Sequence, residues 1–298
     1  MQHQTFEMRT HDGIPLFGQM WRPNGTPQCV LCIIHGIGEH SSRYESWACR
    51  FVEKAVAVVT YDQRGHGHSG GKRGVIPSYE VLLNEIDMAL DKTHELFPGV
   101  PVVLYGHSMG GGEVINHVLR RNGRYDAVVA TSPWLISNAS PGKVLVGVAR
   151  LLNHFVPSLT VSNGLRNSSL SHDTENTQSY RKDHLVHTRV SMRLFVSSYD
   201  AGYWALNNAE GLKKPMLLLH GEDDRITSPK ASALFANGAG SLCEFRSFPN
   251  AFHELHNEDP LIQDKVFETV VGWLQKHGVW AKDKEISSQE FKRLSNKC

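Results

Sequence analysis

A serine lies between glycines in the stretch Gly106-His107-Ser108-Met109-Gly110, which follows an apolar run and precedes a helical pattern. A tight turn between a strand and a helix can hold such a hydroxyl group out of a sheet as a nucleophile. Because a serine hydroxyl is weakly nucleophilic near neutral pH, it needs an imidazole that takes its proton and a carboxylate that orients the imidazole. The stretch therefore predicts acyl transfer by Ser108, provided that a carboxylate and a histidine lie downstream.

Candidates for both partners follow the serine. The chain order serine, carboxylate, histidine is typical of a serine in a strand-to-helix turn. Three neighbouring carboxylates stand at one predicted strand end and are equivalent by position alone: Glu222, Asp223 and Asp224. The histidine must reach the serine from a loop. This requirement favours His253, which follows the last predicted strand, over His256 and His277.

Acyl transfer also passes through an oxyanion, which backbone N–H groups close to the serine can stabilise. Met109, the residue after the serine, supplies one such N–H group. The second is expected from the loop that follows the third predicted strand, where Ile37 lies. The predicted oxyanion hole therefore consists of the backbone of Ile37 and Met109.

The elements that must position these residues follow a regular order. Two alternating runs flank a His-Asp-Gly turn near the N-terminus and predict a β-hairpin. Strand and helix patterns then alternate up to about residue 134, and again after about residue 210. This order predicts an α/β fold with a mostly parallel, doubly wound sheet, in which ligands collect at the carboxyl ends of the strands.

The alternation stops between these two points, which predicts an insert in the sheet fold. We assign residues 1–134 and 209–298 to the core and residues 135–208 to the insert. The insert contains an apolar helical pattern at residues 144–155, which fits a core helix as well as a lipid-facing one. Residues 283–298 are polar and predict a loosely attached tail.

The composition is that of a globular protein, since 40% of the 298 residues are hydrophobic and 20% are charged. The formal charge is +1 and no basic block occurs, which argues against nucleic acid as a partner. The N-terminus lacks a signal-peptide pattern, and no apolar run reaches the roughly 18 residues that span a bilayer. With five cysteines, an odd number, these features favour a cytoplasmic protein.

Two other motifs, for dinucleotide binding and for metal binding, lack the neighbouring residues that these functions require. Residues 65–70 satisfy the dinucleotide pattern G-x-G-x-x-G, but further glycines and Pro77 follow where a helix should begin. The histidines within residues 66–68 and 253–256 lack the H-E-x-x-H spacing and the additional ligands of a metal site. We therefore expect neither a cofactor nor a catalytic metal.

Five motifs in register relate the chain to a known family: HGIGEHSSRY, YDQRGHGHSGGKRG, GHSMGG, GEDDR and FHELHNE. Together they resemble the monoacylglycerol lipase and lysophospholipase group of α/β hydrolases, with its serine aminopeptidase-like relatives. The resemblance implies Ser108 as the nucleophile, His253 as the base and, among the three carboxylates, Asp224 as the acid. It also implies the α/β-hydrolase fold, with residues 135–208 as a cap, or lid, over the active site.

For the substrate, the resemblance implies a small lipid ester, above all a monoacylglycerol, cleaved to fatty acid and glycerol through an acyl-enzyme. The apolar side of the cap would cover the acyl chain. Glu39, Arg43 and His256 match the family positions that hold the glycerol end. Glu39 and Arg43 fit a structural ion pair at a helix start equally well.

Several alternatives stay open at this point. The same machinery would serve a lysophospholipid, a short-chain carboxylic ester or, in related peptidases, an aminoacyl amide. A binding module that keeps the serine by descent is an alternative of another class, because a fold does not determine a function. An apolar cap is also compatible with transient membrane contact, which would make the protein peripheral to a membrane.

Overall fold

The computed structural model describes residues 1–139, 141–165 and 167–280. Within these ranges one sheet contains eight strands: β1 (Gln2–Arg9), β2 (Pro15–Arg22), β3 (Cys29–Ile34), β4 (Val56–Tyr61), β5 (Val102–His107), β6 (Ala127–Thr131), β9 (Met216–Gly221) and β10 (Cys243–Phe248). Their order across the sheet is β1-β2-β4-β3-β5-β6-β9-β10. The chain therefore places β4 on one side of β3 and β5, β6, β9 and β10 on the other, and the β1–β2 pair extends the sheet beyond β4.

Strand β2 runs antiparallel to both of its neighbours, and the pairs from β4 to β10 are parallel. The predicted N-terminal hairpin is confirmed as β1 paired with β2. Strands β3, β4 and β5 are buried along their whole length. Because a parallel sheet is covered on both faces, its strands read as continuous apolar runs, which explains the pattern in the sequence.

Helices cover both faces of this sheet. The helices on one face are α1 (Glu45–Glu53) and α8 (Pro260–Lys276). Those on the other face are α2 (Tyr79–Leu96), α3 (Met109–Arg120) and α7 (Pro229–Ala239). In the part of the chain that the structure describes, no helix is both long enough and apolar enough to cross a membrane.

Between β6 and β9 the chain leaves the sheet, as the interrupted alternation predicts. The elements of this segment are α4 (Lys143–Phe155), β7 (Thr160–Ser162), α5 (Thr174–Lys182), β8 (Arg189–Ser191) and α6 (Met192–Asn207). Strands β7 and β8 pair with each other in antiparallel fashion, separately from the main sheet.

Both ends of this insert are fixed to the core. Leu135 and Ala205 are buried in the same apolar cluster as strands of the sheet. Gly202 lies so close to Leu135 that a Cβ atom on Gly202 would collide with the Leu135 carbonyl oxygen. We keep the division into a core of residues 1–134 and 209–298 and an insert of residues 135–208 as a proposal. The predicted tail lies outside the described residues.

Candidate active site

Ser108 occupies the turn between β5 and α3. Its φ of 55° and ψ of −118° lie in a region that residues other than glycine rarely adopt. The flanking glycines permit this turn, because a Cβ atom on Gly106 would collide with the Gly110 carbonyl oxygen, and one on Gly110 with that of Ile34. The strained turn predicted from the sequence is therefore present, and it places the serine at the carboxyl end of the sheet.

The structure brings the three predicted residues together in one hydrogen-bonded chain. His253 Nε2 lies 2.8 Å from Ser108 Oγ, and His253 Nδ1 lies 2.7 Å from Asp224 Oδ2. Since a carboxylate only accepts, Nδ1 carries the proton and leaves Nε2 free to accept from the serine hydroxyl group. All three residues are buried. Glu222 and Asp223, the alternatives to Asp224, are exposed.

Asp224 is held as a charged acceptor by further donors. The Ile226 and Thr227 N–H groups donate to its Oδ1, at 2.7 and 3.1 Å. Its Oδ2 accepts from Thr227 Oγ1 at 2.8 Å and lies 3.0 Å from His220 Nε2. The second carboxylate oxygen is therefore shared by three side chains, of which His253 is the closest.

The contact between Asp224 and His253 shifts the pKa values of both side chains. Burial opposes the charged form of Asp224, but the His253 charge and the hydrogen bonds from His220 and His253 keep the pKa of Asp224 far below its ordinary value. Burial likewise opposes the charged form of His253, and the charge and hydrogen bond of Asp224 outweigh it, so that the pKa of His253 is raised. The pair is thus suited to stabilise an imidazolium ion after proton transfer from the serine.

The two predicted oxyanion donors belong to chain segments next to the serine. Met109 is the first residue of α3, so its N–H group has no partner within the helix. Ile37 lies in the loop after β3, next to Gly36, where a Cβ atom would approach Ser108 Cβ to 3.0 Å. The loop that carries the Ile37 N–H group is therefore in direct contact with the serine.

A cavity of about 760 Å³ opens beside Ser108. Ile37 and Trp134 of the core line it on one side, and Leu145 and Leu152 of α4 line it from the insert. These four side chains are apolar, while serine, asparagine and arginine side chains line other parts of the cavity. The cavity is large enough for a long hydrocarbon chain. The insert thus supplies one wall of the space next to the serine.

A second pocket of about 10 Å³ also adjoins Ser108; we call it the polar pocket because two carboxylates lie in its otherwise largely apolar wall. Glu39, Tyr180 and Glu254 line it. Arg43 donates to Glu39 at 2.7 Å and bridges both oxygens of Glu254, at 2.8 and 2.7 Å. The predicted ion pair of Glu39 and Arg43 is therefore present, with Glu254 as a third member.

The structure does not bring all the predicted substrate-binding residues to the pocket wall. Glu39 lines the pocket, whereas Arg43 and His256 lie behind it. The His256 ring stacks on Tyr44 with its centroid 4.6 Å away, and neither of its nitrogens has a hydrogen-bond partner within the described ranges. Burial lowers the pKa of His256 to about 4, so the ring is neutral. The side chains of Arg43 and His256 are engaged in ion pairing and ring stacking. Direct contact of Glu39, Arg43 and His256 with a substrate stays a prediction.

Sequence reasoning missed several residues of the site. Glu254 directly follows His253, and Thr227 follows Asp224 by three residues. Their closeness in sequence to two predicted catalytic residues could have indicated both. Tyr180 carried none, because it reaches the pocket from α5 of the insert. Its ring lies 4.5 Å from the Arg43 guanidinium carbon, in cation–π geometry.

This fold and this arrangement define a serine ester hydrolase with the α/β-hydrolase fold. A family model described as "Serine aminopeptidase, S33" matches residues 25–260, and the chain belongs to this family.

Individual relatives agree with this assignment. Monoglyceride lipase from Homo sapiens is 32% identical over 276 residues, which cover 89% of this chain and 88% of that protein. The crystal structure of the monoacylglycerol lipase from Paleococcus ferrophilus superposes with a TM-score of 0.80 at 32% identity, covering 88% of this chain and 99% of the other. An uncharacterized abhydrolase domain-containing protein from Dictyostelium discoideum is also 32% identical, and this chain spans 30% of its length.

Proposed function

We propose that the chain hydrolyses monoacylglycerols to fatty acid and glycerol. The observation that carries this proposal is the hydrogen-bonded chain of Ser108, His253 and Asp224, which adjoins both a large, mainly apolar cavity and the small polar pocket. An ester with a long acyl group fits the large cavity, and the two carboxylates of the polar pocket can accept hydrogen bonds from the hydroxyl groups of its alcohol. The monoglyceride lipase relatives support the same substrate class.

In the proposed mechanism, Ser108 Oγ attacks the ester carbonyl carbon while His253 Nε2 takes the hydroxyl proton. The N–H groups of Ile37 and Met109 stabilise the oxyanion. His253 then protonates the departing alcohol, which leaves an acyl-enzyme on Ser108. A water molecule, deprotonated by the same imidazole, releases the fatty acid. Asp224 holds the imidazole in the required tautomer throughout.

The polar pocket favours glycerol over a phosphodiester as the leaving group. Two carboxylates, Glu39 and Glu254, line it, and the guanidinium group of Arg43 is already engaged by both. Hydroxyl groups can donate to carboxylates, whereas a phosphate group would meet like charge. A lysophospholipid is therefore a less favoured substrate than a monoacylglycerol, although a relative from Bacillus subtilis named phospholipase YtpA is 30% identical over 78% of this chain.

We further propose that the insert acts as a cap and makes transient contact with lipid surfaces. Helix α4 leaves large apolar side chains in solvent, with Val144 82%, Leu151 60% and Phe155 72% exposed. These side chains do not line the cavity, while Leu145 and Leu152 of the same helix do. An apolar patch of this kind beside a cavity for an acyl chain is typical of a lipid contact.

The function is tested with purified protein and three substrates at equal concentration: a long-chain monoacylglycerol, a lysophosphatidylcholine and an aminoacyl anilide. We expect the highest kcat/KM for the monoacylglycerol. A faster reaction with either rival substrate would overturn the proposal. Ser108→Ala should abolish hydrolysis and labelling by a fluorophosphonate probe without loss of thermal stability. Absence of labelling in the wild type would instead indicate a binding module.

A further inference from the structure

A second imidazole, that of His220, lies against the carboxylate of Asp224. His220 is on strand β9, four residues before Asp224 in the sequence, and its side chain is fully buried. Its Nε2 lies 3.0 Å from Asp224 Oδ2, the same oxygen that His253 Nδ1 contacts at 2.7 Å. One carboxylate oxygen therefore contacts two histidines, of which His253 is the one that reaches the serine.

The contacts of His220 determine which of its nitrogens carries the proton. An unprotonated Nε2 would direct a lone pair at a buried carboxylate oxygen 3.0 Å away, so Nε2 must carry a hydrogen and donate it to Asp224. Thr227 Oγ1 is farther from Nε2, at 3.3 Å, and donates its own hydrogen to Asp224 Oδ2 at 2.8 Å. The neighbours of Nε2 thus favour a donor at this nitrogen.

The other nitrogen of His220 faces a serine on α7. Ser232 Oγ lies 2.8 Å from His220 Nδ1. Burial lowers the pKa of His220 and outweighs the opposing hydrogen bond and charge of Asp224, so the ring is neutral. A neutral ring with its hydrogen on Nε2 has a lone pair on Nδ1, which accepts from the Ser232 hydroxyl group. His220 and His253 are therefore opposite tautomers that donate to one oxygen.

The position of this donor matters for the strength of the contact between Asp224 and His253. The two backbone N–H groups that hold Asp224 donate to its other oxygen, Oδ1. His220 donates to Oδ2, the oxygen that faces His253. A hydrogen bond to a carboxylate stabilises the negative charge where it is, so the same charge attracts an imidazolium ion less strongly.

We propose that His220 is a positioning residue: it stays neutral and donates from Nε2 to Asp224 Oδ2, so that the carboxylate orients His253 without trapping it as an imidazolium ion. The inference rests on the proposed function, in which His253 is the general base. His220 itself touches no reacting atom. Through Ser232 it connects helix α7 to the loop that carries the acid.

Other ionisable groups also surround His253 and stay unchanged when His220 is replaced. Besides Asp224, they are Glu39, Arg43, His107, Glu254 and His256. The negative charges of the two glutamates favour the charged form of His253, and both glutamates are paired with the arginine. Burial lowers the pKa values of the two neighbouring histidines, so they carry no charge. Because His220 is also neutral, it acts on His253 through Asp224 rather than by a charge of its own.

Nitrogen NMR of protein with isotope-labelled histidines tests the tautomers without any substrate. At a pH above the titration of His253, His220 should be protonated on Nε2 and His253 on Nδ1. The signals of each ring are identified by their loss in His220→Gln and His253→Gln. The same tautomer in both rings, or a charged His220 at neutral pH, would overturn the proposal. A wild type that hydrolyses no ester would refute the proposed function, whereas the NMR signals would still decide the tautomers.

An NMR titration of His253 tests the effect of the second imidazole. His220→Phe removes the donor, so the pKa of His253 should rise by about half a unit. His220→Gln keeps an N–H donor for Asp224 and should return the pKa to the wild-type value. The control is His117→Phe, which replaces another buried histidine, one that contacts Asp87, and should cause no change. An unchanged or lowered pKa in His220→Phe, or an equal rise in the control, would refute the inference.

Steady-state kinetics separates positioning from a purely structural role. His220→Phe should move the midpoint of kcat/KM to higher pH and leave KM for a monoacylglycerol unchanged, because other residues line the cavity and the polar pocket. Ser232→Ala should cause a smaller shift in the same direction, and none when added to His220→Phe, since the serine acts through the imidazole. A raised KM with an unshifted midpoint, or shifts that add, would contradict the proposal.

Discussion

Arg43 and Glu254 form a bidentate ion pair, with Nη1–Oε1 and Nη2–Oε2 distances of 2.8 and 2.7 Å. Their side chains are only 8% and 4% exposed. Because Glu254 directly follows His253, the pair ties the histidine loop to the short 3-10 helix Ser41–Tyr44. It therefore holds the imidazole and the polar pocket in one rigid unit.

Arg43→Met should reduce the free energy of unfolding by about 3–5 kcal/mol, because it leaves two buried carboxylates without their cation. Urea denaturation measures this loss. The matched control is Arg246→Met, which breaks an ion pair with Glu244 in which the arginine side chain is 59% exposed. Such an exposed pair contributes at most about 1 kcal/mol. Similar losses in both variants would contradict the structural role of Arg43.

Asp224→Asn should lower kcat by about three to four orders of magnitude, because an amide cannot hold His253 in the tautomer that accepts from Ser108. Its exposed neighbour provides the control, and Asp223→Asn should stay within about twofold of the wild type. Steady-state kinetics on one monoacylglycerol compares the two. If Asp223→Asn proved the more damaging, the choice among the three carboxylates would be wrong.

The pH dependence of kcat/KM should report the ionisation of His253. The neutral imidazole is the active form, so kcat/KM should rise with pH, and the midpoint should lie above the ordinary value of 6.5, because the pKa of His253 is raised. Glu39→Gln removes a negative charge that favours the imidazolium ion, so it should move the midpoint to lower pH. A midpoint below 6.5 in the wild type would contradict the proposed electrostatics.

Replacing exposed apolar residues of α4 should weaken binding to lipid vesicles. The double variant Leu151→Ser/Phe155→Ser should bind zwitterionic vesicles at least about tenfold less tightly, since the apolar area that leaves water is lost. Leu261→Ser, on α8, is the control, because Leu261 is as exposed as Phe155, at 72%. Vesicle co-sedimentation gives the affinities. Both proteins should hydrolyse a short, water-soluble ester at the wild-type rate, and equal vesicle binding by both would refute the contact through α4.

Features with a local signal could be predicted from the sequence, and features that depend on distant partners could not. The strand-to-helix turn at Ser108 is encoded by its own glycines, and the buried strands by their apolar runs. By position alone Asp224 was indistinguishable from its neighbours, and only the family resemblance selected it. Arg43 and Glu254 meet across 211 residues of sequence separation, so no local pattern could report their pairing.

The contact between Leu135 and Gly202 means that the chain leaves the core and returns to it at nearly one point. A segment whose two ends lie this close together can be replaced by the corresponding segment of a related protein. Grafting residues 136–201 from a relative would leave the spacing of its attachment points unchanged, and the core would retain its own serine, histidine and aspartate. We expect such a graft to change the selectivity for acyl chains only in part, because Ile37 and Trp134 of the core also line the cavity.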